Sequence, residues 1–323
     1  MDAFSDILKI IQLSVNTYFL RGVGRWNMQC QYRPQGLFYL VLKGQCYFRE
    51  GGSEDLQLMA EGDILALPTG GDHWLCDSPE GQNLAVVNVT KVGRNDDMLL
   101  LKTGKIEAFP TGDSNISGTT AERSGGEKET KLFCGILSYD TSIEHPFLKD
   151  LPCFIRSSTS DDGVAKRIGG FLNVLEKESM DMQPGSTLMV DRLTEMLTVH
   201  LLRAHMRTVK DSNGYMAALF DPKIGQALNL IHREAGEKWT VDSLGKAAGL
   251  NRTSFTEKFV EMVGSTPKAY LMNTRLQKAK NSLQRSNDSM LSIAESAGYS
   301  SEAAFSKAIK KHFNRTPGQI RRG

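Results

Sequence analysis

The segment Ala248-Gly249-Leu250-Asn251-Arg252-Thr253-Ser254-Phe255 returns as Ala297-Gly298-Tyr299-Ser300-Ser301-Glu302-Ala303-Ala304-Phe305. Its glycines stand 49 residues apart, and the second copy has one extra residue before its phenylalanine. Each copy runs on through a helical pattern to a Thr-Pro pair, Thr266-Pro267 and Thr316-Pro317. The chemistry that such a pair of segments offers is recognition of a polyanion. Glycine permits a sharp left-handed turn, a short polar residue caps the helix that follows, and cations on that helix meet phosphate. The phosphate-contact candidates are Arg252, Lys258, Lys307, Lys310, Lys311 and Arg315, taken as a group.

The flanking residues say how these side chains are held. Val241 to Ala248 reads as a helix capped by Thr240, with Leu244 and Ala248 inward. Asn251 caps the next helix, which buries Phe255, Phe259 and Val263. In the second copy Ile293, Ala294 and Ala297 face inward, and Ser300 or Ser301 caps a helix that buries Ala304, Phe305, Ile309 and Phe313. Between the copies lies a helix from Pro267 to about Gln284, with Leu276, Ala279 and Leu283 on one face. At ~1.5 Å per residue it spans about 27 Å. A turn of B-DNA is ~34 Å, so this spacer is of the order needed to place two helices in successive major grooves. A plain helical bundle explains two turns, but not the repeated glycine-turn-cap order with basic residues beyond both.

Composition agrees. The 323 residues are 40% hydrophobic and 24% charged, with a net charge of +2. The charge is unevenly spread: Asp221 to the end holds 17 Lys+Arg against 9 Asp+Glu, and the rest holds 22 against 28. A basic back and an acidic front place polyanion binding in the back. No apolar run reaches ~18 residues, which argues against a membrane span. Met1 to Asn16 reads as an amphipathic helix with Phe4, Ile7, Leu8 and Ile11 on one face. Asp2 and Asp6 stand where a signal peptide would carry cations, so a cytoplasmic location is expected. Five cysteines, Cys30, Cys46, Cys76, Cys134 and Cys153, form no C-x-x-C pair, which speaks against a zinc site or a disulfide scaffold.

Residues 17 to 140 carry β patterning, with runs at Leu37 to Phe48, Leu56 to Met59, Asp63 to Leu67, Leu84 to Val92 and Leu132 to Ser138. Gly51-Gly52-Ser53 has hairpin composition, and Pro110 to Glu127 reads as a loop. The spacing predicts a barrel or sandwich. From Asp162 the period becomes helical: Ile168, Phe171, Leu172 and Leu175 mark one helix, Pro184-Gly185 breaks it, and a second runs from about Thr187 to Met206. This pair caps the barrel or forms a dimer seam; the apolar stripe serves either. Asp211 to Gly214 reads as a polar hinge, and Asp221-Pro222 as a cap with proline at the first helical position. The fold class expected is α+β: a β-barrel domain over 1–160, a helical pair over 161–208, a linker over 209–220, and an all-α domain over 221–323. The last would carry two helix-turn-helix units near 241–263 and 290–313.

Trp239-Thr240-Val241-Asp242-Ser243-Leu244, Leu250 to Phe255 and Ala297 to Lys307 resemble the AraC/XylS family of bacterial transcription regulators. The resemblance covers Asp221 to the end and implies double-stranded DNA as ligand, RNA polymerase as partner and a homodimer. Carried over by position, the base-facing candidates are Thr253, Thr256 and Glu257, then Glu302, Ala303, Ala304 and Lys307; Arg252 to Val263 and Ser301 to Phe313 are the implied recognition helices. Family members often have arginine where this chain has Glu257. A carboxylate there accepts from cytosine N4 and repels phosphate.

Gly62-x5-Pro68-x-Gly70-x2-His73 resembles the second signature of cupin barrels. Metal cupins take further ligands from a His-x-His and a Glu, but the corresponding stretch here is Phe38-Tyr39-Leu40-Val41-Leu42-Lys43-Gly44. No catalytic metal and no cofactor are therefore expected, and His73 reads as a satisfied barrel histidine. Phe133-Cys134-Gly135, Tyr139-Asp140, His145-Pro146-Phe147-Leu148 and Leu151-Pro152 extend the resemblance to a subgroup with a cupin sensor before the double helix-turn-helix. The subgroup implies a small-molecule or oxidant effector. Trp26, Tyr39, His73 and Tyr139 are candidates to line its pocket, and Cys134 is the candidate redox thiol. The expectation is a non-enzymatic regulator; the alternative is a cupin-type small-molecule enzyme with a DNA-binding tail.

Overall fold

The computed structural model describes residues 2–32, 34–80, 87–88, 97–102, 105–110, 128–140, 143, 145–157, 170, 174–175, 177–178 and 183–322. The chain divides into two compact units: a β unit, Leu13–Tyr139 with Leu151–His205, and a helical unit, Met1–Gln12 with Asp140–Asp150 and Met206–Gly323. The segmentation expected from sequence gave residues 1–160 to one domain. The fold instead assigns the first twelve residues and 140–150 to the helical unit, so the chain passes between units at four peptide bonds.

In the β unit the expected single barrel is replaced by two sheets. The strands are β1 (Ser14–Val23), β2 (Asn27–Cys30), β3 (Gly36–Lys43), β4 (Gln45–Glu50), β5 (Gln57–Ala60), β6 (Ile64–Leu67), β7 (His73–Cys76), β8 (Val87–Asn88), β9 (Asp97–Lys102), β10 (Lys105–Pro110), β11 (Glu129–Ser138) and β12 (Ile155–Ser157). Among the described residues one sheet runs β10-β9-β1-β11-β3-β6-β12 and the other β5-β4-β7-β2-β8. The run Leu37 to Phe48, read as one strand, is two strands in different sheets. Gly44 divides them at φ +78, and a Cβ there would stand 2.4 Å from the Glu129 carbonyl oxygen.

Alternation decides what fills this unit. Leu37, Tyr39 and Val41 of β3 face the same core as Leu132 and Cys134 of β11, together with Trp26, Phe48, Leu65 and Leu75. The intervening residues lie on the other face, where Phe133 meets Phe19 at 5.2 Å and Phe38 at 5.7 Å between ring centres. Gly135 makes room for the Phe38 ring, since a Cβ there would overlap it at 2.0 Å. Each buried aromatic contributes on the order of 2–3 kcal/mol from area alone. The first helix of the expected pair lies largely outside the described residues. The second is present over Ser186–Thr208.

The helical unit begins with α1 (Ala3–Ile10), capped by Asp2 and shorter than the Met1 to Asn16 expected, because Asn16 is already in β1. Then come α2 (Pro146–Lys149), the end of α3 (Ser186–Thr208), α4 (Tyr215–Ala218), α5 (Ile224–Arg233), α6 (Val241–Ala247), α7 (Arg252–Val263), α8 (Pro267–Arg285), α9 (Met290–Ser296), α10 (Glu302–Phe313) and α11 (Pro317–Arg321). The expected linker 209–220 holds α4, whose four residues are all buried. Gly214 packs at φ +134 with an added Cβ 2.7 Å from Asp150 Oδ1, so this stretch is anchored rather than a free hinge. Asp221 does cap, but from three residues before the α5 start: its Oδ1 accepts from the Lys223 and Ile224 N–H groups at 2.9 and 2.8 Å.

A buried polar chain joins α1, α2, α4, α5 and α8. The His145 Nδ1 atom accepts from the Phe147 N–H at 3.1 Å, which leaves Nε2–H to donate toward the Tyr270 hydroxyl at 3.4 Å. Tyr215 also meets the Tyr270 hydroxyl. Tyr270 O–H in turn donates to His232 Nε2 at 2.7 Å, and His232 Nδ1–H donates to Asp6 Oδ2 at 2.7 Å. Lys278 Nζ reaches the same Asp6 oxygen at 2.8 Å. This assignment keeps both histidines neutral. Burial pushes His145 down to about 3, and burial, partly opposed by Asp6, lowers His232.

Candidate nucleic-acid interface

The two repeats match in the order of their elements, and residue for residue from the helix cap onward. Helix α7 is capped by Asn251, whose side chain accepts from the Ser254 N–H, and α10 by Ser301, which accepts from the Ala304 N–H. Each is a 12-residue helix ended by a left-handed residue, Gly264 at φ 76 and Asn314 at φ 53. The preceding turns match as well. Leu250 N–H donates to Gly245 O at 2.8 Å and Tyr299 N–H to Ala294 O at 2.9 Å, across Gly249 (φ +66) and Gly298 (φ +78). Asparagine at the second C-terminus does what glycine does at the first, because it too tolerates the left-handed region. The spacer α8 has 19 residues, close to the length expected, and about 28 Å long.

Inward residues hold the helices. Phe255, Phe259 and Val263 of α7 are buried, as are Phe305 and Ile309 of α10. Ala304, expected inside, is exposed, and Phe313 is half-buried. The apolar row of α10 is Phe305, Ile309 and Phe313, and Ala304 lies off it by one helical step.

Outward residues separate the sequence candidates into groups. Arg252, Thr253 and Glu257 are exposed on α7, and Glu302, Ala303, Ala304, Lys307, Lys310 and Lys311 on α10. Arg315 is exposed just beyond, with one guanidinium N–H on Gln319 O at 2.9 Å. Thr256 is half-buried and its hydroxyl donates to Arg252 O at 2.8 Å. Ser301 is committed to capping. Lys258 is a correction: its ammonium pairs with Asp221 Oδ2 at 2.5 Å, so the helix spends this cation inside the unit. Burial would raise Asp221, but the Ile224 N–H, Lys258 and the Lys223 N–H together hold it below the usual carboxylate value.

Aligned at their caps, the helices differ in charge at several positions. Glu257 corresponds to Lys307, Val260 to Lys310, Glu261 to Lys311 and Arg252 to Glu302. The second helix therefore presents the positive face.

The candidates in the β unit are interior. Trp26 and Tyr39 belong to the same buried core, with a Gly22 Cβ position only 2.3 Å from the indole Nε1. His73 Nδ1–H donates to Gly71 O at 2.8 Å, and Nε2 accepts from the Tyr39 hydroxyl at 2.8 Å. Tyr139 stands elsewhere, its hydroxyl on the Pro68 carbonyl. Cys134 is fully buried, and burial, with Cys30 and Cys46 adding, pushes its thiol well up, opposite to an activated thiolate. Cys153 is the exposed cysteine.

Tyr215, His232, Tyr270 and Lys278 were not singled out by sequence, and Asp6 and His145 were named only as a charge against a leader and as part of a family motif. A signal existed: Asp6 lies in the inward row Ala3, Asp6, Ile7, Ile10, and His232 continues the row Ile224, Leu228. A polar residue in an apolar row marks a buried partner.

Comparison with known proteins gives a match of residues 2–207 to a family model described as Cupin, and of residues 244–323 to one described as Helix-turn-helix domain. The chain is 29% identical to the HTH-type transcriptional regulator AlkR of Acinetobacter baylyi, over 99% of either chain. It is 26% identical to the HTH-type transcriptional regulator MtrA of Neisseria gonorrhoeae, over 100% of this chain and 98% of that one. A solved AraC-type transcriptional regulator from Chromobacterium violaceum is 30% identical, covers 32% of this chain and 94% of its own, and has a TM-score of 0.31. No helix among the described residues is long and apolar enough to cross a membrane.

Proposed function

The chain belongs to the AraC-type transcription regulators with an N-terminal cupin domain, and from that premise we propose that it reads operator DNA through two helix-turn-helix motifs, α6–α7 and α9–α10. The observation that carries this is the twice-built cap, glycine turn and outward polar helix, separated by the rigid α8. Lys307, Lys310, Lys311 and Arg315 supply most of the phosphate contact, while Thr253, Glu257, Glu302, Ala303 and Ala304 meet base edges. The second motif carries the larger share of affinity.

The active form is a homodimer. Leu188, Met189 and Met196 form one exposed apolar stripe on α3 and support that seam. RNA polymerase is the partner at the promoter. The effector is a small molecule taken up in the β unit, where Tyr39 and His73 supply a polar pair inside an apolar core and Trp26 adds aromatic surface. An oxidant acting at Cys134 is disfavoured by that thiol's burial. The signal leaves along β1 and β11, which pair Ser14 with Ser138 in the β unit. Three residues further along one chain and two along the other, the Asp140 N–H donates to Ile11 O at 2.9 Å in the helical unit.

Genome-wide mapping of DNA bound by the intact protein tests this reading. Discrete sites sharing one motif are expected; uniform coverage of the genome contradicts it.

A further inference from the structure

Helix α7 presents a carboxylate where α10 presents an ammonium, and its exposed cation, Arg252, stands at the start of the helix, five residues before Glu257. Lys258 is spent on Asp221. Glu261 turns to a cavity of about 440 Å³ that it lines with Asp150, Tyr215, Gly264 and Tyr270. That leaves Glu257 as the carboxylate on the outward row, one turn beyond Thr253 and exposed. Among the described contacts it has no hydrogen bond or ion pair.

A carboxylate brought against DNA is repelled by the phosphates, so it gains nothing from backbone contact. Only a donor on a base edge offsets that repulsion. In the major groove the donors are the cytosine N4 and adenine N6 amino groups. Adenine places its N7 lone pair beside N6, facing the second carboxylate oxygen, whereas cytosine presents no acceptor there. Guanine and thymine offer acceptors on this edge. We infer that Glu257 is a specificity-determining residue that demands cytosine at one operator position by accepting from its N4 amino group. Lys307, at the corresponding place in α10, takes an acceptor edge or a phosphate instead. The two motifs then read unlike half-elements, and the operator is asymmetric within each protomer's site.

The inference rests on the proposed reading of α7 as a recognition helix. Its test is selection from random-sequence double-stranded DNA by the full-length chain, done in parallel with the wild type, Glu257→Ala and Glu257→Gln at one salt concentration. The exposed position makes both variants tolerable to the fold. The wild type should enrich a motif with cytosine at one column. Glu257→Ala should lose that preference by roughly five- to a hundredfold, the range of a good base contact. Glu257→Gln should move the same column to adenine, since an amide pairs with N6 and N7 together. The other columns should stay unchanged. The same motif from all three proteins overturns the inference while leaving DNA reading intact, as does loss of a preference for any base other than cytosine. No enriched motif from any of them defeats the DNA reading itself.

Discussion

Asp6 and His232 are 226 residues apart in sequence and 2.7 Å apart in space. The first residues of the chain are therefore part of the unit that holds both cap-turn-helix repeats. Ala3 N–H on Asn229 at 2.8 Å, and Asn281 on Lys9 O at 3.2 Å, fasten the same helix at its two ends. The β unit is in effect inserted, in two pieces, into the sequence of the helical unit.

Replacing Asp6 tests this directly. Asp6→Ala removes the acceptor shared by Lys278 and His232, and a buried donor left without its acceptor costs about 1–3 kcal/mol. Thermal unfolding of the full chain should show the loss in the transition of the helical unit. An unchanged profile would mean that α1 is only peripherally attached.

Acid should weaken this unit early. His145 is held near 3 by burial, so the folded state refuses a proton that the unfolded chain accepts below about 6.5. Stability attributable to this group is complete above pH 6.5 and falls by about 1.4 kcal/mol per pH unit down to about 3. His232, also lowered by burial, adds in the same direction. Asp6 behaves as a depressed carboxylate: burial would raise it, but His232 and Lys278 outweigh that, so its share survives until the pH falls below the ordinary carboxylate range. Denaturation measured from pH 7.5 to 4 should show the decline beginning near 6.5. A flat curve down to pH 5 would contradict the neutral assignment of both histidines.

The two turn glycines differ in what surrounds them. An alanine Cβ at Gly249 meets nothing within 4 Å, but at Gly298 it stands 2.9 Å from Arg275 Cζ and 3.0 Å from the Gly236 carbonyl oxygen. Arg275 cannot yield easily, because it donates to Ala235 O and Glu237 O, both at 2.6 Å. Gly249→Ala should cost about 1–2 kcal/mol, the left-handed backbone alone. Gly298→Ala should cost visibly more in the same chemical denaturation series. Equal costs would show that the Arg275 contact is loose.

Two lysines, Lys258 on α7 and Lys307 on α10, should part company. Lys307→Ala should weaken DNA binding and make the slope of log K against log salt shallower by about 1. Lys258→Ala should leave that slope alone and cost under about 1 kcal/mol of stability, as a partly exposed ion pair does. Matching slopes for the two variants would restore Lys258 as a phosphate contact.

Thiol chemistry offers a fifth check. Cys153 should react with an aromatic disulfide reagent in the native protein, and Cys30, Cys46, Cys76 and Cys134 only after unfolding. Burial holds the Cys134 thiol far from its thiolate. Rapid native labelling of Cys134 would return the oxidant reading to contention.

The repeat was readable because its determinants are local. Thr240, Asn251 and Ser301 cap the helix that begins next to them, and Gly249 and Gly298 turn the chain where they stand. The α8 spacer and its neighbours followed from the same kind of signal. What escaped depends on distant chain. Leu37 to Leu42 is apolar throughout, and the division of the longer run at Gly44 falls against the Glu129 carbonyl 85 residues on. Whether the front domain is one barrel or two sheets is likewise a matter of pairing between remote strands. Lys258 looked like a phosphate ligand because Asp221 is 37 residues away and its carboxylate had been assigned only to a cap. Asp6 was read as a charge against a leader, and its partner could not be inferred from any spacing.

The central claim is sequence-specific DNA reading by the two motifs, and titration of labelled DNA with the full chain measures it most directly. Fluorescence anisotropy would compare the motif enriched by selection with a scrambled duplex of equal length and composition at physiological salt. The account predicts binding to the motif at least about 10³-fold tighter than to the scramble. Equal affinity for the two duplexes would contradict it.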